Sequence, residues 1–187
     1  MTTAPVHQAL NPYAPPSAPV DDPQVQTEVE AGFFSVSLGK LAIMYFATFG
    51  LYELYWFYRN WKSVQRLTGR KLSALIRTFF FPLTSFGLFD HIRVQGAKAG
   101  VQVSFQPALM ALAVFALNLM SHLPDPYWLL SAFGVVPLLR AQTAVNAINR
   151  AIAPDADPND RLSRWNIVGL AVGGPAFALA LIGAFVR

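Results

Sequence analysis

Three charged side chains stand in otherwise apolar stretches of the sequence: Glu53, Arg77 and Asp90. Glu53 follows a run of apolar and aromatic residues, and a lone charge at membrane depth costs at least roughly 2.5–3.5 kcal/mol. We therefore expect a cation to pair with Glu53, with Arg77 as the first choice and Arg59 as the second. The alternatives for Glu53 are an ion or proton site, a structural ion pair, or a glutamate at the membrane interface that helps to fix a bend.

Other residue types that support catalysis or ligand binding are sparse. The chain has no cysteine and three histidines, which excludes thiol catalysis, disulfides and zinc–thiolate sites. The sequence contains no nucleophile elbow, phosphate loop or HExxH motif. We therefore predict no catalytic residue, no cofactor and no metal. Asp90 lies beside His91 and Arg93, where a solvated cluster is a simpler interpretation than a proton relay.

The composition is typical of a membrane protein. Hydrophobic residues make up 54% and charged residues 13%, against about 45–50% and about 25% in soluble domains. We predict a single helical membrane domain over residues 32–187. Residues 1–31 are rich in proline and lack Lys and Arg, which predicts a disordered tail. The formal charge of +4 is explained by basic cytoplasmic loops, so we expect no nucleic-acid partner.

The apolar pattern predicts an all-α integral membrane protein with about three to five membrane-embedded helices, some of them interfacial or re-entrant. The predicted segments are about residues 38–58, 72–92, 107–123, 127–143 and 165–186. Residues 38–58 would be about 31 Å long as one helix, which is enough to cross the hydrocarbon core. Residues 72–92 contain an uninterrupted apolar stretch of only about a dozen residues, which favours an interfacial or re-entrant piece.

Charge distribution limits the topology. Five basic residues without an acidic neighbour form a basic strip that we expect in the cytoplasm; they are Arg59, Lys62, Arg66, Arg70 and Lys71. The turn around residues 123–126 has no basic residue and is predicted on the periplasmic side. Two arrangements of residues 38–58 remain. The segment crosses with the tail outside, or it dips into the bilayer and returns around Gly50 with the tail inside.

Two further patterns bear on packing. The hexapeptide TFGLYE at residues 48–53 is echoed by SFGLFD at residues 85–90, which indicates either two equivalent half-embedded elements or a chance match. In the last segment, Gly169 and Gly173 form a GxxxG step, and Ala176 and Ala180 continue the same spacing on another face. Small-residue ridges let helices approach closely, so each ridge predicts internal packing or a homodimer seam.

The stretch TFGLYELYWFYRNWK, together with LPDPYWLLS and AVNAIN, resembles a group of small uncharacterised bacterial membrane proteins classed as a domain-of-unknown-function family. Their shared motif is a Gly-Leu/Ile-Tyr step followed by YWFY and a basic residue. The resemblance implies a multipass protein of the bacterial inner membrane with a few short helices. It brings no activity, ligand or catalytic residue.

The expected function is that of a non-enzymatic membrane component that acts through protein or lipid contacts. Its partners would be the bilayer, anionic lipid headgroups at the basic strip, and a second copy or another protein. One alternative is a small oligomeric transporter or channel subunit that uses Glu53. A further alternative is an immunity or stress-response membrane protein.

Overall fold

A computed structural model describes residues 32–185, and over that range the chain is all-helical without a strand. The predicted all-α class is therefore confirmed, while the predicted tail over residues 1–31 lies outside the described residues. The elements are α1 (Leu38–Ala47), α2 (Leu51–Thr68), α3 (Ala74–Phe79), α4 (Phe81–Lys98), α5 (Pro107–Met120), a 3-10 helix (Tyr127–Gly134), α6 (Val135–Ile152) and α7 (Arg164–Phe185).

Residues 38–58 do not form one continuous helix. The predicted arrangement with a single helix over this range is therefore wrong. The chain breaks between α1 and α2, where Gly50 adopts a left-handed φ of 82°. Glycine reaches that conformation without steric cost. The backbone amide of Phe34, just before α1, donates to Asn60 Oδ1 in the middle of α2 at 3.3 Å. Helices α1 and α2 therefore fold back on each other, and we call them the α1–α2 hairpin.

Residues 72–92 are also divided, into α3 and the first part of α4. Ser73 caps α3 by accepting from the Ile76 amide, and Pro82 lies in the first turn of α4, where its missing N–H has no cost. The echoed hexapeptides are not equivalent. TFGLYE contains the turn at Gly50, whereas SFGLFD lies inside the continuous helix α4. The prediction of two equivalent half-embedded elements is therefore wrong.

The predicted pair 107–123 and 127–143 forms a hairpin whose two arms differ. Helix α5 ends at Met120, and the returning arm begins as the 3-10 helix before α6 carries on to Ile152. The helix therefore continues nine residues beyond the predicted end at residue 143. In the turn between the two arms, Asp125 accepts a hydrogen bond from the Trp128 indole N–H at 2.8 Å.

The core lies where α2, α4 and α6 meet. It is built from fully buried side chains, which are Trp56, Phe57, Trp61, Leu88, Phe89, Ile92, Leu138 and Ile148. Large apolar side chains are exposed on the outer faces of α3, α4, α5 and α7. Within residues 32–185, two helical stretches are long and apolar enough to cross a membrane, Tyr127–Ile152 and Arg164–Ala184.

Helix α7 packs against α1 through its glycines. A methyl group placed on Gly173 would overlap the carbonyl oxygen of Ala47, and one placed on Gly169 would contact Met44 Cε at 3.5 Å. The GxxxG ridge therefore packs inside the chain. Ala180 is half-buried, whereas Ala176 is exposed.

Candidate functional site

The turn between α1 and α2 keeps its backbone polar groups inside the chain. The amides of Thr48, Phe49, Gly50 and Leu51 donate to the carbonyls of Met44, Phe46, Tyr45 and Thr48, at 2.8 to 3.2 Å. The Thr48 hydroxyl donates to the Met44 carbonyl at 2.7 Å and accepts from the Tyr52 amide at 2.9 Å. A turn with this pattern needs no water to satisfy its amides.

The tip of the hairpin is apolar on its outside. Leu51 is 68% exposed, and Phe49 and Ile43 are each about half exposed. Exposed apolar side chains on a turn whose amides are all satisfied are unfavourable in water. They suit an apolar surrounding, in which every backbone group must find a partner within the protein.

Contacts with helix α7 show how far the hairpin tip extends along that helix. With 22 residues, α7 is about 33 Å long. Gly173 meets Ala47, and the Phe177 ring lies 5.4 Å from the Phe49 ring. At 1.5 Å per residue, these contacts lie about 14–20 Å from the start of α7. The α1–α2 hairpin therefore ends beside the middle of α7, and α7 continues well past it.

Glu53 lies one turn beyond the tip and is buried, with 9% of its surface exposed. Within residues 32–185 no ion pair joins its carboxylate to a cation. Burial raises the pKa of the Glu53 carboxyl group, which lies in α2 and outside the two stretches long enough to span a membrane. The nearby phenol of Tyr45 donates to the carbonyl of Ser131 at 3.1 Å.

The predicted partner of Glu53 is wrong. The Arg77 guanidinium lies over the Trp61 ring, 4.6 Å from its centroid, and the Arg59 guanidinium lies over the Phe34 ring at 4.8 Å. Aromatic faces attract cations through the ring quadrupole. Both guanidinium groups therefore lie beside the second half of α2, away from Glu53. Trp61 belongs to that half, and the Phe34 amide bonds to Asn60 in the same part of the helix.

Asp90 forms a separate surface cluster. Its carboxylate accepts from Arg93 Nη2 at 2.8 Å, and both side chains are substantially exposed. Burial lowers the pKa of the neighbouring His91, with Asp90 opposing that shift and Arg70, Arg77 and Lys98 adding to it. The solvated cluster interpretation fits this arrangement. Glu53, Arg77 and Asp90 are therefore not brought into one site.

The basic strip presents its charges outward. Lys62, Arg66, Arg70 and Lys71 are exposed, and Arg59 is half-buried. On α2, residues 59, 62 and 66 share one helical face because they are three and four residues apart. The adjacent α3 and the start of α4 expose large apolar side chains, which are Leu75, Ile76, Phe79, Phe80 and Leu83. Cations and exposed apolar side chains therefore occupy one continuous surface.

A buried amide network was missed by the sequence analysis. Asn149 accepts from the Phe33 amide and donates to the Phe33 carbonyl, both at 2.9 Å. Gln142 accepts from Trp56 Nε1 at 2.6 Å and donates to the Phe34 carbonyl at 3.1 Å. Asn146 donates to the Val36 carbonyl at 2.9 Å. The sequence signal for this network was weak. Helical periodicity places these amide side chains on the face of α6 opposite Val145, but it does not show that another segment packs against that face.

Comparisons of the chain with protein-family models, with curated proteins and with solved structures found no match. The resemblance to a domain-of-unknown-function family therefore stays a prediction.

Proposed function

We propose that this chain is a non-enzymatic, multipass component of the bacterial inner membrane that acts through lipid contacts. In this proposal α7 crosses the bilayer, and the α1–α2 hairpin enters from the cytoplasmic side and returns to it. The observation that carries the proposal is the hairpin tip, which combines internally satisfied amides with exposed apolar side chains beside the middle of α7.

The distribution of charge supports the same orientation. Phe33 is bonded to Asn149 near the end of α6, and Gly96 in α4 lies beside Ile148. The chain entering α1 and the ends of α4 and α6 therefore lie at one end of the molecule. That end carries exposed cations in addition to the basic strip, and they are Arg93, Lys98, Arg150, Arg161 and Arg164. Positive charge on short loops favours the cytoplasm.

Single cysteines in this cysteine-free chain test the arrangement. We expect Thr3→Cys and Ser104→Cys, the latter in the exposed loop after α4, to react with an impermeant maleimide only from the cytoplasmic side. Phe49→Cys at the hairpin tip is expected to react from neither side, because lipid surrounds it. Labelling of Thr3→Cys from the periplasmic side would overturn the re-entrant hairpin.

A second candidate function, a small transporter or channel subunit, rests on Glu53. A buried carboxyl group without a paired cation among the described residues is a recurrent feature of proton and ion pathways. Reconstituted protein should then conduct protons or a cation, and Glu53→Gln should abolish that flux while Asp90→Asn preserves it. Equal flux for wild type and Glu53→Gln would exclude this function.

A further inference from the structure

A cavity of about 640 Å³ opens near the end of the molecule that carries the cations. Its walls come from the residues before α1, from α1 and α2, from the loop after α6 and from the start of α7. The volume lies in the range of about 300–1,000 Å³ that is usual for small-molecule sites. Four of its lining side chains, Phe33, Phe34, Met44 and Tyr52, also belong to the buried core.

The polar side of the cavity contains two cations. Lys40 is 6% exposed and donates to Asn159 Oδ1 and to the Arg161 carbonyl, each at 2.7 Å. Arg59 lies at the cavity wall and donates to the Tyr55 hydroxyl at 3.0 Å. The one acidic side chain among the lining residues, Asp157, accepts from the Asn159 amide at 2.8 Å. The described lining therefore carries a net positive charge.

The position of the cavity along α1 fits the headgroup layer of a bilayer. Lys40 is ten residues before Gly50, which corresponds to about 15 Å of helix, or half of a hydrocarbon core of about 30 Å. If the hairpin tip lies near the bilayer centre, Lys40 lies at the level of the lipid phosphates. Trp165, at the start of α7, lines the same cavity, and tryptophan is enriched at membrane interfaces.

We infer that this cavity binds the headgroup of an anionic phospholipid, with the phosphate beside Arg59. The charge of Lys40 attracts the phosphate from a distance, because its three N–H groups already donate to Asn159 and Arg161. The acyl chains then lie along α7, where Ile167 and Val168 are each about half exposed. Basic pockets beside membrane helices bind lipid headgroups in this way. The inference rests on the proposed function for its orientation, but it names a discrete site rather than a general attraction to the bilayer.

Cysteine protection in the full chain tests the site. Ala153 lines the cavity, whereas Ala151 is exposed outside it. In mixed micelles, phosphatidylglycerol should slow maleimide labelling of Ala153→Cys several-fold and leave Ala151→Cys unchanged. Arg59→Gln should weaken the apparent affinity for phosphatidylglycerol about fivefold, as expected for one basic contact of about 1 kcal/mol.

Four outcomes would overturn the inference. Equal protection by phosphatidylcholine would remove the preference for an anionic headgroup, and equal protection by glycerol 3-phosphate would point to a soluble phosphate. Slow labelling of Ala153→Cys without lipid, restored to full rate by the double substitution Glu28→Gln and Glu30→Gln, would mean that this chain's own carboxylates occupy the cavity. Flotation of the reconstituted protein is measured separately. If the protein inserts into the membrane but phosphatidylglycerol does not protect Ala153→Cys, only the cavity site is excluded. If the protein does not insert, the proposed function itself is excluded.

Discussion

Glu53 is the residue whose environment differs most from the one its charge requires. It is buried, and no described cation pairs with it, so the neutral form is favoured in the folded chain. Its pKa is raised from an ordinary value of 4.5. Between 4.5 and the raised pKa the folded state binds more protons than the unfolded state, and stability therefore falls as the pH rises through that window.

We predict that Glu53→Gln removes this dependence. An uncharged amide of similar volume has no ionisation penalty, so the variant should be more stable than wild type at pH 9 and close to it at pH 4.5. Thermal unfolding in detergent at both pH values measures the effect. Asp90→Asn is the control, because that carboxylate is exposed and its ion pair contributes little. A wild-type stability that rises between pH 5 and 9 would contradict the assignment.

At the scale of elements, the α1–α2 turn depends on Thr48. Its hydroxyl joins the last turn of α1 to the first turn of α2 through Met44 and Tyr52. We predict that Thr48→Val costs about 1 kcal/mol of unfolding free energy, the usual effect of losing a side-chain cap. Reversible unfolding in mixed micelles gives the value.

Thr143→Val is the matched control for Thr48→Val. Thr143 also donates to a carbonyl one helical turn away, that of Leu139, but it is exposed. Its replacement should change stability by less than about 0.5 kcal/mol. Equal losses for the two variants would mean that the turn does not depend on the Thr48 hydroxyl.

The contact between α1 and α7 depends on a glycine. Because a methyl group on Gly173 overlaps the Ala47 carbonyl, we predict that Gly173→Ala forces the helices apart and costs about 1–3 kcal/mol. Thermal unfolding and protease cleavage in the loop over residues 153–163 both report the separation. Gly183→Ala, with no atom within 4 Å of the added methyl group, should be neutral or slightly stabilising.

The helices and turns were easier to predict from sequence than the side-chain contacts between them. It placed Gly50 as a turn in one of two arrangements, because a glycine inside an apolar run is a local signal. It did not predict the contact between Asn149 and Phe33, because the two residues are 116 positions apart. It paired Glu53 with Arg77 by charge alone, although packing places Arg77 over Trp61. Periodicity identifies a shared face but not the segment that covers it.

At the scale of the whole molecule, most exposed cations of the described residues lie at one end, with Arg140 in α6 as an exception, and this distribution favours one orientation. The basic strip contributes to that end, together with the exposed cations on α4, α6 and α7. The basic strip has two alternative roles. It sets orientation through positive charge on the cytoplasmic side, or it binds anionic headgroups at about 1 kcal/mol per basic residue.

Neutralising the strip separates these roles. We predict that a variant with Gln at the four exposed strip positions, Lys62, Arg66, Arg70 and Lys71, keeps the wild-type orientation, because exposed cations such as Arg93, Lys98, Arg150 and Arg164 stay at the same end. The same variant should lose most of the phosphatidylglycerol enrichment around the purified protein, since four contacts of about 1 kcal/mol each are removed. Sidedness of Thr3→Cys and quantified co-purifying lipid are the measurements.

The control variant carries Gln at Arg93, Lys98, Arg150 and Arg164, which removes the same charge from the same end but leaves the strip intact. The strip cations adjoin the exposed apolar surface of α3 and the start of α4, where headgroups and acyl chains are contacted together. The control should therefore retain more phosphatidylglycerol than the strip variant. Inverted orientation of the strip variant with unchanged lipid enrichment would make the strip a topology signal alone.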